Sequence, residues 1–346
     1  MGIVLKQSLK NITITYLGFA FGAVNTLFLY TQILPDTYYG LVTVILATGA
    51  ILMPLMAFGV QNTMVKFYSN YHDTEKDGFL TLMLLTPLLG IIPLALITFI
   101  FNDAIGNLVS KVNPIVKDYI WYVFLVGLSM GYFEVFYAWC KVHLKSVFGN
   151  FMKEVFGRVG VSILLILLYY EVISLELFFK LLVGLYLLRT AIIKIYAFSI
   201  RRLKLNFNFP SNTKEILLYT FLIILGGSAA LILVEIDKVM LNQFIEIENV
   251  AYYGVAAYIA TVIIVPSRAM HQITYPLTAK LLNSGNHFAL ETLYKKTSLT
   301  LFIASGILFV LIILNLNDLY LLLPEAYRNG FYIVCLIGLA RFFDSV

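Results

Sequence analysis

Ten stretches of roughly twenty mainly apolar residues recur along this chain. They lie near 13–34, 39–60, 79–101, 119–140, 155–172, 177–198, 216–236, 250–267, 297–315 and 329–345. A helix needs about that length to cross the hydrocarbon core of a bilayer. Within lipid every backbone donor must be paired inside its own segment, so these runs are helices rather than open strands. The alternation of a membrane barrel is absent. The spacing predicts an all-α, polytopic membrane helix bundle with about ten transmembrane helices.

Composition removes the competing classes. Of 346 residues, 60% are hydrophobic and 12% charged, against roughly 25% charged in a soluble domain. So few charges cannot cover a water-facing surface. A soluble enzyme, a DNA-binding domain and a disordered chain are excluded. The net charge of +5 does not signal a nucleic-acid partner, because the basic residues sit in short loops between apolar runs. Cys140 and Cys335 lie in or beside apolar segments and offer neither a disulfide framework nor metal-type spacing. His72, His143, His271 and His287 are scattered, so no metal or other cofactor is expected. The opening Met1 to Lys6 carries Lys where a myristoylation signal requires Ser or Thr. With no small-residue cleavage site after it, the first apolar run is expected to be a retained span.

The loop cations set the orientation. With the N-terminus inside, the inner face collects Lys6, Lys10, Lys66, Lys76, Lys141, Lys145, Lys153 and Arg158. It also collects Arg201, Arg202, Lys204, Lys214, Arg268, Lys280, Lys295, Lys296 and Arg341. The other face has only Lys111, Lys117, Lys180, Lys238 and Arg328. This bias predicts a multi-pass protein of the cell's inner membrane with a cytoplasmic N-terminus.

Two short matches suggest an internal repeat: Tyr38-Tyr39-Gly40-Leu41-Val42 and Tyr252-Tyr253-Gly254-Val255-Ala256. Each is placed where an outer loop re-enters the membrane. Between them, residues 201–214 form a basic stretch with Pro210 and several Asn residues. We read 1–200 as an N-terminal six-helix lobe, 201–214 as a cytoplasmic linker and 215–346 as a four-helix C-terminal lobe. Six helices per lobe would give parallel repeats, so the second lobe is expected to be incomplete.

Several motifs resemble the polysaccharide (O-antigen type) flippases of the multidrug/oligosaccharidyl-lipid/polysaccharide exporter superfamily. The most specific is Glu235-Ile236-Asp237-Lys238-Val239-Met240-Leu241, followed by Val250-Ala251-Tyr252-Tyr253-Gly254-Val255-Ala256-Ala257-Tyr258. Leu34-Pro35-Asp36-Thr37-Tyr38-Tyr39-Gly40 and Leu323-Pro324-Glu325-Ala326-Tyr327 are similar to two of the family's turns. Asp237, Lys238, Tyr253 and Gly254 carry the motif. The resemblance implies a two-lobed exporter-like fold that flips a polyprenyl diphosphate-linked oligosaccharide across the membrane. It also implies polymerases and glycosyltransferases as partners.

A charge at mid-membrane costs at least about 2.5–3.5 kcal/mol on insertion scales, so each needs a reason. Arg189, in the middle of the sixth run, suits a diphosphate because a guanidinium holds phosphate oxygens with paired donors. Snorkelling or pairing with a neighbouring helix would equally explain it. Arg158 follows Glu154 by four residues, which is ion-pair spacing on a helix. Arg268 and His271, one turn apart beside Gln272, are candidates for a polar cavity edge. Asn25 offers hydrogen bonds to sugar hydroxyls or to a neighbouring helix. Glu134, inside the fourth run, is the candidate for ion coupling. The Gly226-Gly227-Ser228-Ala229-Ala230 stretch is read as a place of close helix approach.

No catalytic constellation or phosphate-binding glycine loop is present, so an enzyme is not expected. The leading expectation is a lipid-linked oligosaccharide flippase. The alternatives are an ion-coupled drug or metabolite antiporter, a peptidoglycan-precursor flippase, and a membrane-embedded glycan polymerase or acyltransferase. The antiporter is disfavoured because such proteins typically place a carboxylate in the first helix, and 13–34 contains none.

Overall fold

Among the described residues, seven helices of the computed structural model are long and apolar enough to cross a membrane. They are α1 (Leu9–Ile33), α2 (Asp36–Ala57), α4 (Asp73–Ile100), α6 (Pro114–Val142), α8 (Leu175–Ile200), α11 (Glu248–His271) and α12 (His287–Leu314). Further helices are α3 (Val60–Phe67), α5 (Asn102–Val109), α7 (146–169), α9 (Thr213–Gly227), α10 (Leu231–Phe244) and α13 (Phe331–Asp344), with short helical turns at Leu316–Leu321 and Glu325–Gly330. The structure describes residues 2–345, and no strand occurs among them. The side chains of Lys6, Gln272 and Lys280 lie outside the described residues. The all-helical, multi-pass membrane architecture is therefore as expected, with fewer full spans than ten.

Each difference has a local cause. The run at 155–172 is helical, but Lys153, Glu154 and Arg158 occupy the middle of α7. The run at 329–345 is helical as α13 and follows directly on a 3-10 turn at Glu325–Gly330. The run at 216–236 is broken: α9 and α10 meet at 53°. Poor helix formers sit at that break, and the Ser228 hydroxyl donates back to the Ile224 carbonyl. A Cβ on Gly226 would meet nothing within 4 Å. This stretch is therefore a bend, and close approach at Gly226 is corrected.

Contacts group the chain into two compact units, Asp36–Val250 and Met1–Pro35 with Ala251–Val346. The grouping runs across the sequence division at 200 and 215. Thr63 of α3 and Thr220 of α9 share a 3.0 Å hydrogen bond, which ties α9 to the α2–α8 helices. Tyr258 of α11 donates to the Phe19 carbonyl of α1 at 2.7 Å.

In the Asp36–Val250 unit, α2 and α6 pack at close range because glycines face one another. A Cβ on Gly127 would lie 3.3 Å from the Gly49 carbonyl oxygen, the small-residue contact usual between membrane helices. Thr190 of α8 donates to the Ser129 carbonyl of α6 at 2.9 Å. At one end of the bundle Asn113 works as a clasp. Its amide donates to the carbonyls of Asn242 and Ile245 at 2.8 and 2.9 Å and accepts from Ile247 N at 3.0 Å. Beside it, a Cβ on Gly40 would strike the Ile247 carbonyl oxygen at 2.1 Å, so α2 starts against backbone. The Thr37 hydroxyl donates to the Glu248 carboxylate. Both Tyr-Tyr-Gly repeats thus lie in the opening turns of α2 and α11, already helical rather than in loops.

In the other unit, Tyr252 stacks edge-on against Tyr327 at 4.9 Å and Phe309 lies over Phe342 at 6.1 Å. Such aromatic pairs tie α11 to the 3-10 turn at Glu325–Gly330 and α12 to α13.

Candidate functional site

A polar cavity of about 220 Å³ opens within the Asp36–Val250 unit. Two helix breaks shape it. Phe58 and Gly59 take φ of 50° and 68° in succession, ending α2 and starting α3 on a new axis. A Cβ at Gly59 would meet the Ile223 side chain at 2.5 Å and the Thr220 carbonyl at 2.6 Å. Across the cavity lies the α9–α10 bend at Gly227 and Ser228. Interrupted membrane helices with unwound backbone facing a cavity are a recurrent way of building transport sites.

Three ionisable groups line this space: Glu134, Lys141 and Lys153, with Gln61 and Asn62. The Glu134 carboxylate is 2.6 Å from Lys153 Nζ. Side-chain exposure is 12% for Glu134 and 43% for Lys153, so the carboxylate is sunk in the wall and the ammonium reaches the open volume. Lys141 Nζ stands 4.0 Å over the Tyr137 ring, a cation–π contact. The Gln61 side-chain oxygen is buried without a hydrogen-bond partner among the described residues, leaving an acceptor for a hydroxyl or amine.

Lys153 is positioned by a π-helical turn, Met152–Phe156, between the α-helical parts of α7. The extra residue re-phases the helix. Before it, Gly149 fits the Tyr137 ring of α6; after it, Gly160 fits Leu185 of α8. Arg158 pairs with Glu154 at 3.2 Å, the geometry its spacing predicted.

Arg189 is buried, with its guanidinium 4.3 Å from the Phe133 ring centre and 4.8 Å from that of Tyr186. Its Nε has no hydrogen-bond partner among the described residues. It packs behind the cavity instead of lining it. A second π-helical turn, Val24–Leu29, holds buried Asn25 in α1.

At the same end of the bundle as the cavity, His143 Nδ1 lies 2.7 Å from the Trp139 carbonyl. That carbonyl can only accept, so Nδ1 carries the proton and Nε2 accepts from the Tyr68 hydroxyl at 2.8 Å. Burial pushes the imidazole pKa below its ordinary value.

His271 lines a separate cavity of about 660 Å³ with His287, Glu291 and Tyr294, while Arg268 lies over the Phe19 ring at 5.4 Å. Lys238 pairs with Glu235 at 2.6 Å, and Asp237 is exposed. Tyr253 and Gly254 are half-buried in α11.

Lys141 and Lys153 were counted in the sequence only as loop cations. Their signal was Lys141 closing an apolar run and Lys153 preceding another, near a carboxylate inside the membrane.

The sequence model for the family described as polysaccharide biosynthesis protein matches residues 4–282. The chain belongs to that family. No curated protein matches it. Among solved structures it is similar to MATE in the straight conformation, with 15% identity and a TM-score of 0.54 over 99% of this chain and 82% of that one. It is also similar to MATE in complex with Br-NRF, with 16% identity, a TM-score of 0.56, and 99% and 84% coverage. A third similar structure, MATE in complex with MaD3S, has 14% identity, a TM-score of 0.56, and 99% and 82% coverage. These likenesses establish the fold. Family and fold together are those of a multi-helix membrane protein of polysaccharide biosynthesis.

Proposed function

We propose that this member of the polysaccharide biosynthesis family flips a polyprenyl diphosphate-linked oligosaccharide across the inner membrane, its N-terminus cytoplasmic. The observation that carries the reading is the cavity in which Lys141 and Lys153 face open volume while Glu134 neutralises only one of them. A diphosphate brings at least two negative charges, and charge-assisted hydrogen bonds to ammonium groups are the strong ones. Gln61 and Asn62 supply neutral partners for the first sugar. Arg189, packed behind the wall, adds positive potential without contact. The oligosaccharide would come from glycosyltransferases and pass to a polymerase.

Complementation of surface-polysaccharide export in cells lacking the protein tests this. Lys141→Ala and Lys153→Ala should each lower export at least tenfold with unchanged membrane abundance, and Arg189→Ala should lower it less. Wild-type export from the Lys141→Ala, Lys153→Ala double variant overturns the proposal. Glu134→Gln separates the ion-coupled antiporter reading: in an antiporter it removes dependence on the proton or sodium gradient, in the flippase it does not.

A further inference from the structure

Residues 201–212 join the end of α8 to the start of α9. α8 is a membrane-spanning helix and α9 opens the bent, apolar α9–α10 pair, so the linker runs along the membrane surface whichever way the chain is oriented. It crosses α4 where that helix changes character, from the charged turn at 73–77 to the apolar run that opens at Phe79. The crossing is fixed by backbone contacts. Asn206 N donates to the Thr81 hydroxyl at 3.1 Å, and the Asn208 carbonyl leaves no room for a Cβ on Gly78. Each end is tied down as well: Arg201 pairs with Asp77 at 2.8 Å, and the Tyr71 hydroxyl donates to the Asn212 side chain at 2.8 Å.

Held this way, the linker exposes apolar and cationic groups together. Leu205 and Phe207 are 65% and 66% exposed, and Phe209, also exposed, meets the Phe207 ring edge-on at 6.3 Å. Arg202, Lys204 and Lys214 are exposed too. The acids nearby are engaged elsewhere: Asp77 by Arg201, Asp73 by Lys76, Glu75 by the His72 backbone and Glu215 by the Asn212 amide. Arg202, Lys204 and Lys214 therefore have no acidic partner among the described residues. So much apolar surface in a short linker is unfavourable in water. At the edge of the hydrocarbon it is favourable, because rings enter the acyl boundary while cations stay among the phosphates. Uncompensated cations at that level draw anionic headgroups in preference to zwitterionic ones. We propose that the 201–214 linker is a recognition surface for anionic phospholipid, with Phe207 and Phe209 in the acyl boundary and phosphates at Arg202, Lys204 and Lys214. None of these residues lines the polar cavity at Glu134, so the surface is independent of the transport reading.

The test places the full chain in phosphatidylcholine nanodiscs, with an NBD fluorophore on Phe207→Cys in a background with Cys140→Ser and Cys335→Ser. The discs carry an equal small fraction of either phosphatidylglycerol or phosphatidylcholine, spin-labelled high on the acyl chain. Quenching by the phosphatidylglycerol should exceed quenching by the phosphatidylcholine at least threefold. Salt at about 0.5 M, which screens exposed charges, should bring the two together. The Arg202→Gln, Lys204→Gln, Lys214→Gln triple variant should do the same while leaving quenching by phosphatidylcholine unchanged. Equal quenching by the two lipids at low salt overturns the proposal, because the rings would then meet the bilayer without selecting its headgroups. Absence of quenching by either also overturns it and would make the face a site for a protein partner. Both leaflets have one composition, so the outcome does not depend on orientation. The salt comparison keeps all three cations, so it does not depend on the folding of the triple variant.

Discussion

Replacing Lys153 by Met leaves the sunken Glu134 carboxylate without its 2.6 Å partner. A fully buried pair broken this way costs 3–5 kcal/mol. Lys153 keeps 43% exposure, so a double-mutant cycle with Glu134→Gln should give a coupling of only about 1 kcal/mol, measured by thermal unfolding in detergent. His143 makes a separate prediction. Its folded-state pKa is lowered by burial, so the unfolded chain binds a proton more readily. The associated stability is fully present above about pH 6.5 and is lost as pH falls through the folded value. Unfolding scans at pH 7.5 and 5.0 should show a drop in Tm for the wild type and a smaller one for His143→Asn. At this scale the sequence was partly legible. Arg189 and Glu134 stand out because a charge inside an apolar run is conspicuous. Lys141 and Lys153 do not, because a cation at the edge of a run looks the same whether it meets water or turns into a cavity.

Helices were the most legible feature, since a run long enough to span hydrocarbon is helical whatever its neighbours are. Their interruptions were harder to read. Of the paired left-handed residues Phe58 and Gly59, Gly59 is held by α9 and the Phe58 ring lies against Gly90 of α4, a tertiary cause that no local spacing encodes. The same holds for the π turns at Val24–Leu29 and Met152–Phe156. Gly59→Ala tests the break directly. A methyl there meets both an unfavourable φ and the Thr220 carbonyl at 2.6 Å, so stability should fall by about 1–3 kcal/mol. An unchanged unfolding midpoint would mean that α3 and α9 part easily.

For the molecule as a whole, loop cations predict which ends face the cytoplasm. Single cysteines in a background with Cys140 and Cys335 replaced by Ser can check this, because Val112 is 41% exposed and Leu205 65% exposed. Val112→Cys should react with an impermeant maleimide in intact cells, and Leu205→Cys only after permeabilisation. The opposite pattern would invert the orientation. Long-range grouping was the least legible level. Which helices adhere depends on small contacts such as Gly40 on Ile247 and Thr63 with Thr220, and these are invisible along the chain. The π turn of α7 joins the scales, because the residues ahead of it grip α6 and those behind it grip α8. Deleting one residue from Met152–Phe156 would leave an unbroken coil with nearly the same circular dichroism, yet swivel its two halves by about 100° against each other. Here a frame-preserving loss of three nucleotides would be spectroscopically silent and mechanically severe.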